Sequence, residues 1–381
     1  MATISDYLEW RGDVTMDYAP FNEVDNYIIS KIGSPDFTGI VPADTTTIKI
    51  GDAVDLYNIK CGGAGSYLGA LASPHIMEVI QMLPKTARFM DLRLSGFVKK
   101  CSEAETEQFS AITATLPDGR HYVAYRGTDD TVLAWKEDLM MSVEESVAAQ
   151  RDALDYLTWV ADNYEGELIV GGHSKGGNLA VYAASCARPD IQNRISAVFN
   201  NDGPGFRPQF YINSDYLKIA GRIYTFLPRH SLVGTLLQQV NDVIIVNDSC
   251  RGAGAHDGFT WEVRRCEFVR SPGGLSRSSR SFDEAMNGMI ATMTIEERKN
   301  VIDEISEIIA STGSETITEI AEKKWRQALT MAKSFKNSPE TRKFVTTIAE
   351  LLVKDYRERL QIDKAGDKKD KAERKQAGKN S

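Results

Sequence analysis

The chain has 381 residues, of which 42% are hydrophobic and 9% aromatic, so it can bury a sizeable core and is not a disordered protein. A formal net charge of -8 disfavours a general nucleic-acid binder, which carries a basic excess. The five cysteines are odd in number and form no CxxC motif, which indicates neither a disulfide framework nor a zinc ribbon.

The first third of the chain predicts helices followed by a β-hairpin. Apolar spacing predicts a helix over 22–32 and a second helix over 74–82, with a glycine-rich loop at 62–69 between them. Strands are predicted over 88–98, 108–116 and 121–125. The last two flank a Pro-Asp-Gly turn at 117–119 and are therefore expected to pair as a hairpin.

The middle of the chain alternates between strand and helix. The predicted order is helix 146–164, strand 167–170, helix 178–186, strand 195–199, strand 219–226 and strand 243–246. Short apolar strands separated by helices are typical of a parallel sheet that is covered on both faces. The sequence therefore predicts an α/β fold with a mostly parallel central sheet.

Beyond a Ser/Gly/Arg loop at 271–280 the pattern becomes helical. We predict three segments: an α/β domain over 1–280, a helical appendage over 281–360 and a charged disordered tail over 361–381. The tail has seven basic and four acidic residues, a composition that is usually solvated.

A possible nucleophile lies between the strand at 167–170 and the following helix. Residues 172–176 read Gly-His-Ser-Lys-Gly and match the G-x-S-x-G pattern. In a nucleophile elbow this pattern forms a sharp turn between a strand and a helix, where only glycine tolerates the crowding beside the serine. We therefore predict Ser174 as the nucleophile; a glycine-rich turn without catalysis is the alternative.

A serine hydroxyl needs a base, and the chain has only five histidines. His75 and His121 precede the elbow, whereas the base comes last in the hydrolase order. His173 lies inside the elbow and is expected to point away from the serine hydroxyl. Of the remaining two, His230 and His256, we favour His256, because it lies in a loop that follows the strand at 243–246.

The acid that orients the base is the most ambiguous member of the triad. Asp202 follows the strand at 195–199, at the edge of the sheet where α/β proteins place their sites, and we favour it. Asp242 and Asp248, on either side of the strand at 243–246, remain alternatives. A turn-forming role for Asp202 is also open.

An oxyanion hole needs backbone N–H donors that point to the developing charge. Lys175 follows the nucleophile and is the first expected donor. The second is expected in the loop after the strand at 121–125, where Thr128 offers both an N–H and a hydroxyl group.

These motifs resemble two related families. Tyr125-Arg126-Gly127-Thr128, with Trp135 and Asp138 downstream, is similar to the oxyanion loop of class 3 triacylglycerol lipases. A closer resemblance, over about residues 4–270, is to the bacterial Mbeg-like family of lipase-like α/β hydrolases. It rests on residues 6–13 and 21–25, on HSKGGNLA at 173–180, on NDGPGF at 201–206, and on His256 followed by Trp261. The resemblance implies an α/β-hydrolase fold and a serine mechanism but no particular substrate.

One position departs from the class 3 lipases. Those lipases usually carry their triad aspartate near the place where this chain has His230. Either Asp202 takes over as the acid or the triad is impaired.

The prediction is thus a lipase- or esterase-like serine hydrolase that cleaves an ester or thioester through Ser174, His256 and Asp202. It needs no cofactor or metal, and its expected partner is a small ester or lipid-like substrate, not nucleic acid. The alternative is a non-catalytic binding module with the same fold. The N-terminal residues lack a signal-peptide pattern and no stretch of 18 apolar residues occurs, so we expect a cytoplasmic protein without an integral membrane segment.

Overall fold

A computed structural model describes residues 1–62, 73, 75–102, 107–128, 132–240, 242–250, 252–311 and 338–347. The strands are β1 (Ile48–Lys49), β2 (Arg93–Ser102), β3 (Glu107–Thr115), β4 (His121–Tyr125), β5 (Leu168–His173), β6 (Ile195–Asn201), β7 (Ile223–Pro228), β8 (Val243–Val246), β9 (Val263–Arg264) and β10 (Glu267–Phe268). The helices are α1 (Ile4–Arg11), α2 (Glu23–Ser30), α3 (Ile50–Lys60), α4 (His75–Met82), α5 (Val132–Met140), α6 (Ala148–Asn163), α7 (Lys175–Cys186), α8 (Pro189–Arg194), α9 (Pro208–Tyr211), α10 (Ser214–Ile219), α11 (Arg277–Thr292) and α12 (Ile295–Ser311). Residues 339–347 are also helical.

The central sheet has eight strands, which lie side by side in chain order from β1 to β8. β1 to β4 pair antiparallel, and β4 to β8 pair parallel. Every residue of β4 and β5 is buried, as expected for strands that are covered on both faces. The mostly parallel sheet and its flanking helices confirm the predicted α/β-hydrolase fold.

Helices cover the two faces of the sheet with separate apolar clusters. One cluster joins the sheet to the N-terminal helices and includes Tyr7, Tyr27, Ile28 and Trp261. The other joins the sheet to α6 and α7 through residues such as Leu157 and Leu179. Parallel neighbours such as β5 and β6 are connected through α7 and α8, so their carboxyl ends meet at one edge.

Two predicted strands begin later than the sequence pattern indicated. The strand predicted over 88–98 begins at Arg93, because Arg88 is buried and binds Asp25 together with three backbone carbonyl groups. The strand predicted over 219–226 begins at Ile223, because residues 214–222 form α10 and a short 3₁₀ turn.

The described part of the C-terminal region is helical, as predicted, although α11 begins at Arg277, inside the predicted loop, where the Ser276 side chain caps it. The division at residue 280 stays a prediction. The glycine-rich loop beyond Gly62 and the tail at 361–381 lie outside the described residues. In the part of the chain that is described, no helix is both long and apolar enough to cross a membrane.

Candidate active site

Ser174 lies at the turn between β5 and α7, in the strand–turn–helix setting that the sequence predicted. Its backbone has φ 58° and ψ −133°, a conformation that L-residues rarely adopt. A Cβ atom on Gly172 would lie 2.2 Å from the backbone of Gly176, and one on Gly176 would lie 2.2 Å from the carbonyl oxygen of Tyr125. The glycines on both sides of Ser174 are therefore sterically required.

His256 and Asp202 meet although 54 positions separate them in the chain. His256 Nδ1 lies 2.7 Å from Asp202 Oδ2, and the Asp202 side chain is fully buried. Asp202 follows the end of β6, and His256 ends a short 3₁₀ helix after β8. This is the pairing that the sequence favoured, and it leaves His256 Nε2 available on the other side of the ring.

The buried carboxylate of Asp202 has a second side-chain partner. Ser231 donates its hydroxyl to Asp202 Oδ1 at 2.5 Å. Burial raises the pKa of Asp202 above its ordinary value, while the hydrogen bonds from His256 and Ser231 oppose that rise. Ser231 was not among the residues that the sequence singled out, since a single serine in a loop carries no signal.

His230 and Asp248, the alternative histidine and one of the alternative aspartates, pair with each other. His230 Nδ1 lies 2.8 Å from Asp248 Oδ1, and the same carboxylate accepts the backbone N–H of His230. Asp242 is exposed at the start of β8. The structure therefore brings neither Asp242 nor Asp248 to His256.

Ser174, His256 and Thr128 line one cavity. Among the described residues, Ser174 Oγ makes no hydrogen bond to His256. Catalytic hydrogen bonds are often long in unliganded structures and shorten when substrate binds.

The two expected oxyanion donors lie on either side of Ser174. The N–H of Lys175 begins α7, and Thr128 follows β4. The hydroxyl of Thr128 donates to Asp138 Oδ2 at 2.5 Å, so its proton points away from a bound oxyanion. Within the described residues neither backbone N–H donates a hydrogen bond, so both N–H groups are free to bind a ligand.

The side chain of Lys175 has a separate structural role that the sequence did not reveal. It is buried, and Nζ donates to Glu137 Oε2 at 2.9 Å and to the carbonyl oxygen of Gln108 at 2.8 Å. Glu137 also accepts the backbone N–H groups of Gln108 and Ala149. This buried ion pair attaches α5 to the elbow.

Asp138 is the next residue on α5 and lines the cavity. Burial raises the pKa of Asp138 to about 6, and nearby Lys175 and the Thr128 hydrogen bond oppose the rise. Its Oδ1 atom is buried without a hydrogen-bond partner among the described residues. α5 thus contacts both segments that were expected to form the oxyanion hole, one through Glu137 and one through Asp138.

The cavity has a volume of about 440 Å³, within the usual range for small-molecule sites. Most of its wall is apolar and comes from the loop after β7 and from the C-terminal helices. The apolar residues that these segments contribute are Val233, Leu236, Leu237, Met286, Ile290, Met293, Val301, Ile302, Ile305 and Phe344. Among the described residues no group of three or more His, Cys, Asp or Glu side chains is arranged to hold a metal ion.

The fold and the serine elbow define a lipase-like α/β-hydrolase protein. The chain belongs to the Mbeg1-like family, whose model matches residues 83–307. Two solved structures resemble it at low identity. One is "Rhizomucor miehei lipase propeptide complex, native", at 16% identity and a TM-score of 0.29, over 44% of this chain and 66% of that one. The other is M37 lipase, at 13% identity and a TM-score of 0.32, over 68% of this chain and 79% of that one. A search of curated proteins gave no match.

Proposed function

We propose that the protein is a serine hydrolase that cleaves a carboxylic ester or thioester. The observation that carries this proposal is the arrangement around one cavity. Ser174 is held in the strained elbow conformation, and His256, with Nδ1 fixed by Asp202 at 2.7 Å, lines the same cavity. A partly buried serine that lines a cavity and an oriented imidazole on the same cavity are the elements of nucleophilic acyl transfer.

In this mechanism Ser174 Oγ attacks the carbonyl carbon while His256 Nε2 takes the hydroxyl proton. Asp202 accepts the Nδ1–H bond and stabilises the imidazolium that forms. The backbone N–H groups of Thr128 and Lys175 stabilise the oxyanion. His256 then protonates the leaving alcohol or thiol, and a water molecule activated by the same imidazole hydrolyses the acyl-enzyme.

The cavity wall supports an apolar acyl group as the part of the substrate that binds. Ten apolar side chains of the loop after β7 and the C-terminal helices line the cavity that Ser174 also lines, and burial of apolar surface is worth about 25 cal/mol per Å². The mechanism uses only side chains and backbone groups of this chain, so it requires no cofactor. We also propose a reducing, cytoplasmic setting, because all five cysteines are unpaired.

The first test is a p-nitrophenyl ester series of increasing chain length, together with labelling by a fluorophosphonate probe. We expect Ser174→Ala to abolish labelling and to lower kcat by roughly 10³-fold or more, because the nucleophile is lost.

Ser196→Ala is the matched control for that test. Its hydroxyl bonds the carbonyl oxygen of Leu168 at the opposite end of the parallel strands, so labelling and turnover should be unchanged. Failure of the wild-type protein to react with the probe would contradict the proposal and favour the non-catalytic binding module.

A further inference from the structure

Helix α2 ends beside the proposed catalytic residues, although it precedes the stretch that the family model matches. Lys31 directly follows this helix and is buried at 9% exposure. Its Nζ atom lies 2.6 Å from Nδ1 of His173, the histidine inside the elbow. No carboxylate of the described residues accepts a hydrogen bond from Lys31. A buried lysine whose polar partner is a histidine ring calls for an explanation.

His173 connects Lys31 to the loop that carries the base. Its other ring nitrogen, Nε2, lies 2.6 Å from the backbone oxygen of His256. The rings of His173 and His256 are also in contact, with centroids 4.4 Å apart. The three residues therefore form a continuous chain from Lys31 through His173 to the backbone of His256.

The chemistry of the three groups fixes the direction of both hydrogen bonds. A backbone carbonyl oxygen can only accept, so Nε2 of His173 must carry a proton and donate to the carbonyl oxygen of His256. A neutral imidazole that is protonated on Nε2 has an unprotonated Nδ1, which can then accept a hydrogen bond from Lys31 Nζ. Burial and the neighbouring Lys31 lower the pKa of His173 well below its ordinary value, which keeps the ring neutral.

We infer that Lys31 is a positioning residue for His256 and that it acts through His173. This inference rests on the proposed function, in which His256 is the base. The loop around His256 consists of two short 3₁₀ helices, and the ring of His173 contacts the backbone of this loop at His256. A second contact from α2 supports the same loop, because the hydroxyl of Tyr27 accepts the N–H of Gly258 at 2.8 Å.

Two substitutions at Lys31 separate hydrogen bonding from packing. Lys31→Met keeps an apolar stem but loses the donor, and we expect kcat to fall by about 10–100-fold with little change in KM, because small displacements of a catalytic group cost rate. Lys31→Gln keeps an N–H donor without the charge and should retain kcat to within a few-fold. An equal loss in both variants, or a raised KM with normal kcat, would overturn the inference.

A control variant measures the effect of losing a buried hydrogen bond away from the site. Tyr156→Phe removes the hydrogen bonds of the Tyr156 hydroxyl with the carbonyl oxygen of Gly96 and with the hydroxyl of Thr113, and it should leave kcat unchanged, even where it lowers stability. A matching fall in kcat for Tyr156→Phe and Lys31→Met would mean that Lys31 has only a structural role.

A double-mutant cycle tests whether Lys31 works through His173. We expect Lys31→Met to lower kcat little further in a His173→Gln background, because the imidazole that links Lys31 to His256 is already absent. If the two substitutions lower kcat independently, so that their effects multiply in the double variant, Lys31 does not act through His173.

A spectroscopic measurement does not depend on turnover. In protein with ¹⁵N-labelled histidine, we expect His173 Nδ1 to be unprotonated at neutral pH in the wild type. In Lys31→Met we expect the ring to be no longer fixed in this single tautomer. A protonated Nδ1 in the wild type would overturn the inference. Absent Ser174-dependent labelling would overturn the proposed function and the positioning role together, whereas normal labelling with unchanged kcat in Lys31→Met would overturn the inference alone.

Discussion

At the scale of single residues, both the backbone and the side chain of Asp202 are held by their neighbours. Its backbone has φ 53°, a conformation that aspartate tolerates better than most residues. Its N–H donates to the carbonyl oxygen of Phe226 at 2.8 Å, which holds the end of β6 against β7. The carboxylate then receives His256 on one oxygen and Ser231 on the other. Backbone conformation and burial thus fix the direction in which the acid points.

We predict that Asp202→Asn lowers kcat by up to roughly 10⁴-fold, because an amide stabilises the wrong tautomer of the base. The measurement is steady-state turnover of a p-nitrophenyl ester.

The His230–Asp248 pair provides a matched control at the same scale. Asp248→Asn alters an equally short His–Asp contact, 2.8 Å, that does not touch His256. We expect its kcat to stay within a few-fold of the wild-type value. Full activity in Asp202→Asn would refute the assignment of the acid and leave Ser174 and His256 in place.

At the scale of elements, α5 organises the oxyanion side of the site. Glu137 pairs with Lys175 at the start of α7, and Asp138 holds the hydroxyl of Thr128 after β4. α5 also packs against α12, and Lys136 Nζ lies 3.2 Å from Asp303 Oδ1 across that contact. α12, one of the helices that line the cavity, therefore contacts the helix that supports the proposed oxyanion donors.

The buried pair of Lys175 and Glu137 predicts a large effect on stability. Lys175→Met leaves the Glu137 carboxylate buried without its cation, so we expect the free energy of unfolding to fall by about 3–5 kcal/mol in a urea titration. Adding Glu137→Gln should restore part of the loss, because the unpaired charge is removed.

The control for that titration is an ion pair on the surface. Lys49 Nζ lies 3.5 Å from Asp91 Oδ1, and both side chains are at least half exposed. Lys49→Met should change the free energy of unfolding by less than about 1 kcal/mol. Equal effects at Lys49 and Lys175 would contradict the structural role given to the buried pair.

At the scale of the whole molecule, the fold is held by packing and not by covalent links. Two apolar clusters cover the faces of the sheet, and a third joins α11, α12 and Phe344 through residues that include Met286 and Met289. Cys61, Cys101 and Cys186 are exposed, while Cys250 and Cys266 are partly buried. All five are free, so no disulfide contributes to the stability of this fold.

We therefore predict about five reactive thiols per chain when the protein is denatured without a reductant and titrated. This number follows from a reducing compartment, in which each cysteine stays unpaired. A repeat after reduction serves as the control and should give the same count. One or three thiols before reduction would reveal disulfides and contradict the proposed compartment.

The sequence by itself determined the elements whose signal is local. The alternation of strands and helices, the hairpin, and the G-x-S-x-G elbow at 172–176 follow from apolar periodicity and from the steric demands on glycine, which neighbouring residues specify. Elimination among five histidines then led to His256, and position at the edge of the sheet led to Asp202. Their catalytic roles stay predictions, although the two side chains lie 2.7 Å apart, because the carboxyl ends of parallel strands meet at one edge of the sheet.

Only the tertiary structure decided which polar side chains are partners. Lys31 and His173 are 142 positions apart, and Lys175 and Glu137 are 38 apart, yet each pair lies within 3 Å. No local pattern encodes such contacts, because they depend on how the N-terminal helices and α5 pack on the finished sheet. The apolar wall from α11 and α12 has the same origin: the sequence specified helices, and their docking over Ser174 placed their apolar side chains around the cavity.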